Sequence, residues 1–234
     1  MIQFRNTEIG HKNVLLKIDD LQLSQGKVYA LVGRNGVGKS TLLQSIIGSL
    51  PLLSGEINVE GIGINQLTIN QRARLFAFVE SKFSGVEYMN VWEYLALGRA
   101  PYTSLTGKLS ISDKHIIEII ATELNIRDLL EKQTVKISDG ERQICAVARA
   151  LIQETPIILM DEPTAFLDYI NRQKLMELLI KIATKKHKCI VLSTHDIDLC
   201  LENKIPFLVA NKGFVELTIL EDKRDLISHI FELD

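Results

Sequence analysis

The octapeptide Gly33-Arg34-Asn35-Gly36-Val37-Gly38-Lys39-Ser40 constrains this chain most, because its chemistry needs a strand before it and a helix after it. The sequence supplies both. Val28 to Val32 is an apolar run that reads as a strand, and Ser40 to Ile47 reads as a helix until Gly48 and Pro51 stop it. Glycines turn the backbone tightly and aim N–H groups inward, the helix start adds partial positive charge, and Lys39 supplies a compact cation. The loop is therefore a phosphate site, and Ser40 is a ligand for Mg²⁺.

Around it, strand-like runs at Ile2 to Ile9, Val14 to Leu23, Glu56 to Val59 and Leu75 to Val79 fill the first third of the chain. From about Gly85 to Gln153 apolar residues recur at helical spacing, as in Val91, Tyr94 and Leu95 or Ile116, Ile117, Ile120 and Leu124, which predicts a mostly helical middle third. Strands return at Ile157 to Met160, Ile190 to Leu192 and Phe207 to Ala210, with a helix between from about Ile170 to Thr184. This alternation predicts an α/β fold with a parallel sheet under covering helices. Leu226-Ile227 and Ile230-Phe231 predict a short terminal helix. With no repeat or linker in its 234 residues, the chain fits one large domain or a domain with an insertion.

Composition then excludes whole classes. The 27 basic and 29 acidic residues leave a formal charge of -2, so no global field attracts nucleic acid, and none is expected as a partner. Aliphatic stretches such as Ile157-Ile158-Leu159-Met160 fall far short of the roughly 20 residues that cross a bilayer. The amino terminus lacks the basic start and apolar run of an export signal, which predicts cytoplasmic residence. Three cysteines without a Cys-x-x-Cys pair read as buried thiols.

The strand Ile157 to Met160 runs into Asp161-Glu162, and in a parallel sheet this pair emerges at the edge that also holds the phosphate loop. Asp161 is assigned to the Mg²⁺ shell. Glu162, pointing the other way, is assigned to polarising the water that attacks a γ-phosphate.

With these motifs the chain resembles the ATP-binding subunits of ABC transporters over essentially its whole length. Ile137-Ser138-Asp139-Gly140-Glu141-Arg142-Gln143 is similar to that family's signature segment, Ala165-Phe166-Leu167-Asp168 to its D-loop, and Ser193-Thr194-His195-Asp196 to the segment with its switch histidine. The resemblance implies a single ABC ATPase domain over 1–234. Its RecA-like P-loop NTPase core would span 1–82 and 154–234, with a mostly parallel sheet and an N-terminal antiparallel β portion. An inserted α-helical subdomain at 83–153 would carry the signature.

It also implies ATP and Mg²⁺ as cofactors. Gly33, Arg34, Asn35, Gly36, Val37, Gly38, Lys39, Ser40 and Thr41 would bind ATP, Ser40 and Asp161 would hold the metal, Glu162 would be catalytic, and His195 would sense the γ-phosphate. The Ser138 hydroxyl and the N–H groups around Gly140, at a helix start, form a second anion-binding corner that has neither base nor metal ligand. Such a corner is incomplete alone. The resemblance implies a head-to-tail homodimer in which Ser138, Asp139, Gly140 and Glu141 close on the partner's ATP and Asp168 organises the seam.

The chain departs from the family pattern at three places. Glu80 stands where a glutamine usually links metal and helical region; as an oxygen donor it keeps the metal-side role, but it adds negative charge and cannot donate. Asp139 replaces a glycine, and its side chain is expected to point away from phosphate. No convincing aromatic residue offers itself for stacking on adenine, and His11 is the nearest candidate.

Val91 to Tyr102 resembles the helical region of importers for iron chelates, haem and cobalamin. This implies a subunit, peripheral on the inner face of the cell membrane, that powers a polytopic permease served by a solute-binding protein. Phe83, Val86, Tyr88 and Trp92 would form part of the permease groove, with an internal helical core as the other reading for Trp92. The alternative is a soluble non-transport ABC ATPase or scaffold, such as one in iron–sulfur cluster assembly. A regulatory subunit with little turnover is a third reading.

Overall fold

A computed structural model describes residues 1–104, 107–219 and 222–231. In chain order the strands are β1 (Ile2–Gly10), β2 (Val14–Ile18), β3 (Leu21–Leu23), β4 (Lys27–Gly33), β5 (Ser54–Val59), β6 (Ile62–Gly63), β7 (Phe76–Val79), β8 (Ile157–Asp161), β9 (Cys189–Ser193), β10 (Phe207–Asn211) and β11 (Phe214–Thr218). The helices are α1 (Lys39–Ile46), α2 (Ile69–Leu75), α3 (Val91–Ala96), α4 (Ile111–Glu123), α5 (Asp139–Ile152), α6 (Tyr169–Lys185), α7 (Ile197–Glu202) and α8 (Lys223–Phe231).

All the strands share one sheet in the order β6-β5-β1-β2-β11-β10-β4-β9-β8-β7, with β3 also on β1. The run β10-β4-β9-β8-β7 is parallel, whereas β1 pairs antiparallel with β2, β3 and β5. The parallel strands are apolar throughout because both faces are covered. Val28, Ala30 and Val32 of β4 face a core shared with α3, α4, α5 and α6, while Tyr29 and Leu31 face one shared with α1 and the antiparallel strands. Side chains from the helical segment, such as Val91, Leu95 and Ile117, belong to the same cluster as Ile158, Met160 and Leu192 of the sheet.

Four helices start at reciprocal caps: Thr68 with Gln71, Asn90 with Glu93, Ser110 with Asp113 and Ser138 with Glu141. The first of these corrects an expected strand. Its cap launches α2, which runs through Leu75, so β7 begins only at Phe76. The expected run Val14 to Leu23 is likewise two strands. It keeps one register along β1, with Thr7 opposite Ile18 and Phe4 opposite Leu21, but the ladder lapses at Asp19 and Asp20, across from Asn6 in a left-handed conformation (φ 42°). The terminal helix is present, though the side chains of Ile230 and Phe231 lie outside the described residues. Cys145, Cys189 and Cys200 are free and buried, and burial pushes each thiol up to about 12. Among the described residues no helix is long and apolar enough to cross a membrane.

Candidate functional site

The parallel register assembles the site. Leu31 of β4 lies opposite Ser193 of β9, which lies opposite Asp161 of β8, so the segments that follow all leave at one edge. Val79 opposite Met160 brings Glu80 to the same edge beside Asp161.

The loop from Gly33 to Lys39 needs its glycines. Gly36 (φ 78°) and Gly38 (φ 115°) occupy left-handed backbone, and a Cβ on Gly38 would come within 2.8 Å of Leu15 Cδ2. No side chain caps the start of α1, so its first-turn N–H groups face the loop. Lys39 is buried inside it and donates from Nζ to the Gly33 carbonyl (3.0 Å). Burial lowers the Lys39 pKa, and the charges of Glu162 and Asp161 raise it part of the way back.

Asp161 and Glu162 part company at the end of β8. Asp161 is buried and accepts from Ser40 Oγ (2.6 Å) on one oxygen and from Ser193 Oγ (2.5 Å) on the other. Glu162 has a left-handed backbone (φ 48°), pinned where its N–H donates to Ser193 Oγ (2.9 Å). That turn sends its carboxylate to the other side, where Oε1 lies 3.1 Å from His195 Nε2. A phosphate beside Lys39 would thus meet a metal-type oxygen pair on one side and a carboxylate–imidazole pair on the other. Ser40 and Asp161 suit Mg²⁺, a hard cation that commonly takes one or two carboxylates and completes its shell with phosphate oxygens and water.

The remaining sequence candidates are distributed differently. Ser138 caps α5: Oγ accepts from the Glu141 N–H (3.3 Å) and donates to Glu141 Oε2 (2.8 Å). Hydrogen bonds from the Ser138 backbone and then its hydroxyl hold the Glu141 carboxyl below its usual range. The Asp139 carboxylate is tied to Arg142, which lowers its pKa. Gly140 packs on the segment after Glu162, since a Cβ there would stand 2.9 Å from the Phe166 carbonyl oxygen. Asp168 caps α6 by accepting from the Asn171 N–H (2.8 Å).

His11 is exposed in the turn between β1 and β2. The side chains of that region seen against the loop are Leu15 and Leu16, two adjacent leucines that interrupt the alternation of β2. Ser193 and Asp196, which bound the His195 segment, and Thr164 and Arg172, which nothing in their spacing singled out, also hold the site together. Phe83 and Trp92 line different cavities. Phe83 stacks on Tyr94 (centroids 4.1 Å apart) in a cavity of about 460 Å³ that Glu80 and Arg149 also line. Trp92 packs against the core and lines a second cavity, of about 420 Å³, with Leu97 and Leu109. Val86 and Tyr88 are exposed.

Known proteins are similar to this chain in sequence and in fold. The ABC transporter family model matches residues 16–165. The uncharacterized ABC transporter ATP-binding protein MJ0873 of Methanocaldococcus jannaschii is 35% identical over 240 residues, covering 100% of this chain and 82% of its own length. The probable siderophore transport system ATP-binding protein YusV of Bacillus subtilis is 30% identical over 200 residues, covering 85% of this chain and 72% of its own. In three dimensions the chain is similar, at a TM-score of 0.81 and 26% identity over 92% of this chain and 97% of the other, to the ATP-binding cassette MJ0796 in a dimeric post-hydrolysis state bound to ADP and Pi.

Proposed function

Since the chain belongs to the ABC transporter family, as one of its ATP-hydrolysing subunits, we propose that it powers a membrane importer for an iron chelate, haem or cobalamin. The observation that carries the mechanism is the division of labour at the end of β8. Asp161 faces Ser40, and Glu162 faces His195. Lys39 and the N–H groups of the loop bind the terminal phosphates of ATP. Ser40, Asp161 and Glu80 would hold Mg²⁺, whose chemistry there would be neutralisation of phosphate charge. The Glu162 carboxylate accepts a proton from water as the water oxygen attacks the γ-phosphorus and the bond to the bridging oxygen breaks. His195 holds Glu162 and the γ-phosphate in register.

The signature corner completes the pocket from a second copy. Ser138 spends its hydroxyl on its own helix, so engagement of the partner's ATP requires that proton to leave Glu141 for a phosphate oxygen. The groove between Glu80, Phe83, Tyr94 and Arg149 takes a short helix from the permease, next to the metal-side carboxylate. The siderophore relative supports the iron-chelate class, and a solute-binding protein would deliver the solute outside the membrane.

Glu162→Gln tests the mechanism. It should bind ATP, lose at least about 10²-fold in turnover, as removal of a general base does, and accumulate as an ATP-bound dimer on size exclusion. Normal turnover would send the search to another base. Co-purification with a polytopic partner, and ATP-driven uptake of a ferric siderophore into vesicles, test the transport reading. A chain that stays soluble and instead accompanies iron–sulfur assembly proteins supports the scaffold alternative.

A further inference from the structure

One arginine ties the loop after Glu162 to the segment that carries His195. Arg172, in the first turn of α6, donates from Nε to the Leu167 carbonyl (2.8 Å) and from Nη1 to Asp196 Oδ1 (2.8 Å). The other oxygen of Asp196 accepts from Thr164 Oγ1 (2.6 Å), and the Asp196 N–H donates to Thr194 Oγ1 (2.9 Å). Asp196 is thus gripped from both ends of the 164–167 loop, one residue after the imidazole that meets Glu162. The far side of that loop is also seated. Phe166 has a left-handed backbone (φ 69°), its side chain is 54% exposed, and its carbonyl oxygen fills the space where Gly140 lacks a Cβ. A continuous path therefore runs from Gly140, at the signature corner, through Phe166 and Leu167 to Arg172, Asp196, His195 and Glu162.

We propose that Arg172 is a positioning residue for hydrolysis: it makes the seat of the 164–167 loop against Gly140 set the approach of His195 to Glu162. The roles of His195 and Glu162 are those of the reading above, on which this inference rests. A guanidinium suits the task because its planar fork fixes the angle between the two acceptors, Leu167 O and Asp196 Oδ1. A lysine ammonium at the end of a flexible stem can keep the charge without holding that angle. The Arg172 and Asp196 side chains are 39% and 21% exposed, so their ion pair contributes little to stability. What the bridge supplies is geometry.

The test compares the full chain with Arg172→Lys, Arg172→Ala, Asp196→Ala and the double variant Arg172→Ala/Asp196→Ala, using Mg-ATP and following turnover, KM and nucleotide affinity. Arg172→Lys and Arg172→Ala should each lower kcat about tenfold or more, toward the ~10²-fold that misplacement of a reacting group can cause. KM and ATP affinity should stay within about twofold, because the phosphate loop is not on the path. The double variant should be no slower than the slower single variant, since both remove the same link. Wild-type kcat in Arg172→Lys, a KM that rises in step with the loss, or losses that multiply in the double variant would each overturn the proposal. Glu162→Gln, assayed alongside, separates the two levels. If it turns over normally the assigned roles fail; if it is inactive while Arg172→Lys is unimpaired, only the relay fails.

Discussion

On the metal side, as proposed, Glu80 would depart furthest from its neighbours' needs, because a carboxylate there would add charge where phosphate charge already accumulates. The register that ends with Val79 opposite Met160 carries the chain at Glu80 to the sheet edge where Asp161 lies, in keeping with a metal-side role, so Glu80→Ala should raise the Mg²⁺ needed for half-maximal turnover. Glu80→Gln should retain turnover and require more Mg²⁺ for half-maximal rate than the parent chain but less than Glu80→Ala, as a neutral amide oxygen binds the cation less strongly than a carboxylate but is still an oxygen donor. A Mg²⁺ titration of both variants decides the matter, and unchanged curves would remove Glu80 from the site. Lys39→Ala should act differently, raising the Kd for ATP rather than lowering kcat alone. Away from the site, Lys188 is buried with its ammonium on the Thr155 carbonyl, and burial pulls its pKa down to about 8. The unfolded chain then binds more protons than the folded one between about pH 8 and the ordinary lysine value near 10.4. Stability should therefore rise with pH across that window, by up to about 3 kcal/mol. Urea unfolding of Lys188→Met over the same range should show a flatter dependence.

At the scale of elements, α5 does more than present the signature. β7 is the last strand of the sheet; its outward carbonyls at Phe76 and Phe78 accept from Gln153 (2.9 Å) and Arg149 (2.9 Å), and the carbonyl of Glu80, just beyond its end, accepts from Gln143 (3.5 Å). Long polar side chains of one helix thereby satisfy an edge that would otherwise expose a row of acceptors. Gln153→Leu strands the Phe76 carbonyl beneath the helix and should cost about 1–3 kcal/mol, read as a lower urea midpoint with an unchanged slope. Each capping box is a local arrangement of four residues, so it fixes its helix start without tertiary contacts. The ladder was not legible in the sequence. Gln143, Arg149 and Gln153 look like solvated positions until the partner strand, more than 60 residues earlier, is known. The same applies to Phe83 and Trp92, which sequence proximity grouped together and packing divided between two cavities.

For the whole molecule the question is where the pocket ends. Lys39, Asp161, Glu162 and His195 converge within one chain, whereas the side-chain hydroxyl of Ser138 is directed to Glu141 of its own helix. If a second copy closes the site, specific ATPase activity should fall on dilution with second-order dependence on protein concentration, and Ser138→Ala should lower turnover while leaving ATP binding by the monomer intact. Constant specific activity at every dilution would contradict a shared pocket. The phosphate loop, the carboxylate pair and the alternation of strand and helix were determined by sequence alone, because contiguous residues and short periods encode backbone geometry directly. Only the tertiary structure decided that Ser193 joins the Asp161 carboxylate to the Glu162 backbone, that Leu15 and Leu16 rather than His11 lie against the loop, and that Arg172 bridges Leu167 to Asp196. Those outcomes depend on strand register and on one left-handed turn at Glu162, which bring together side chains from segments far apart in the chain.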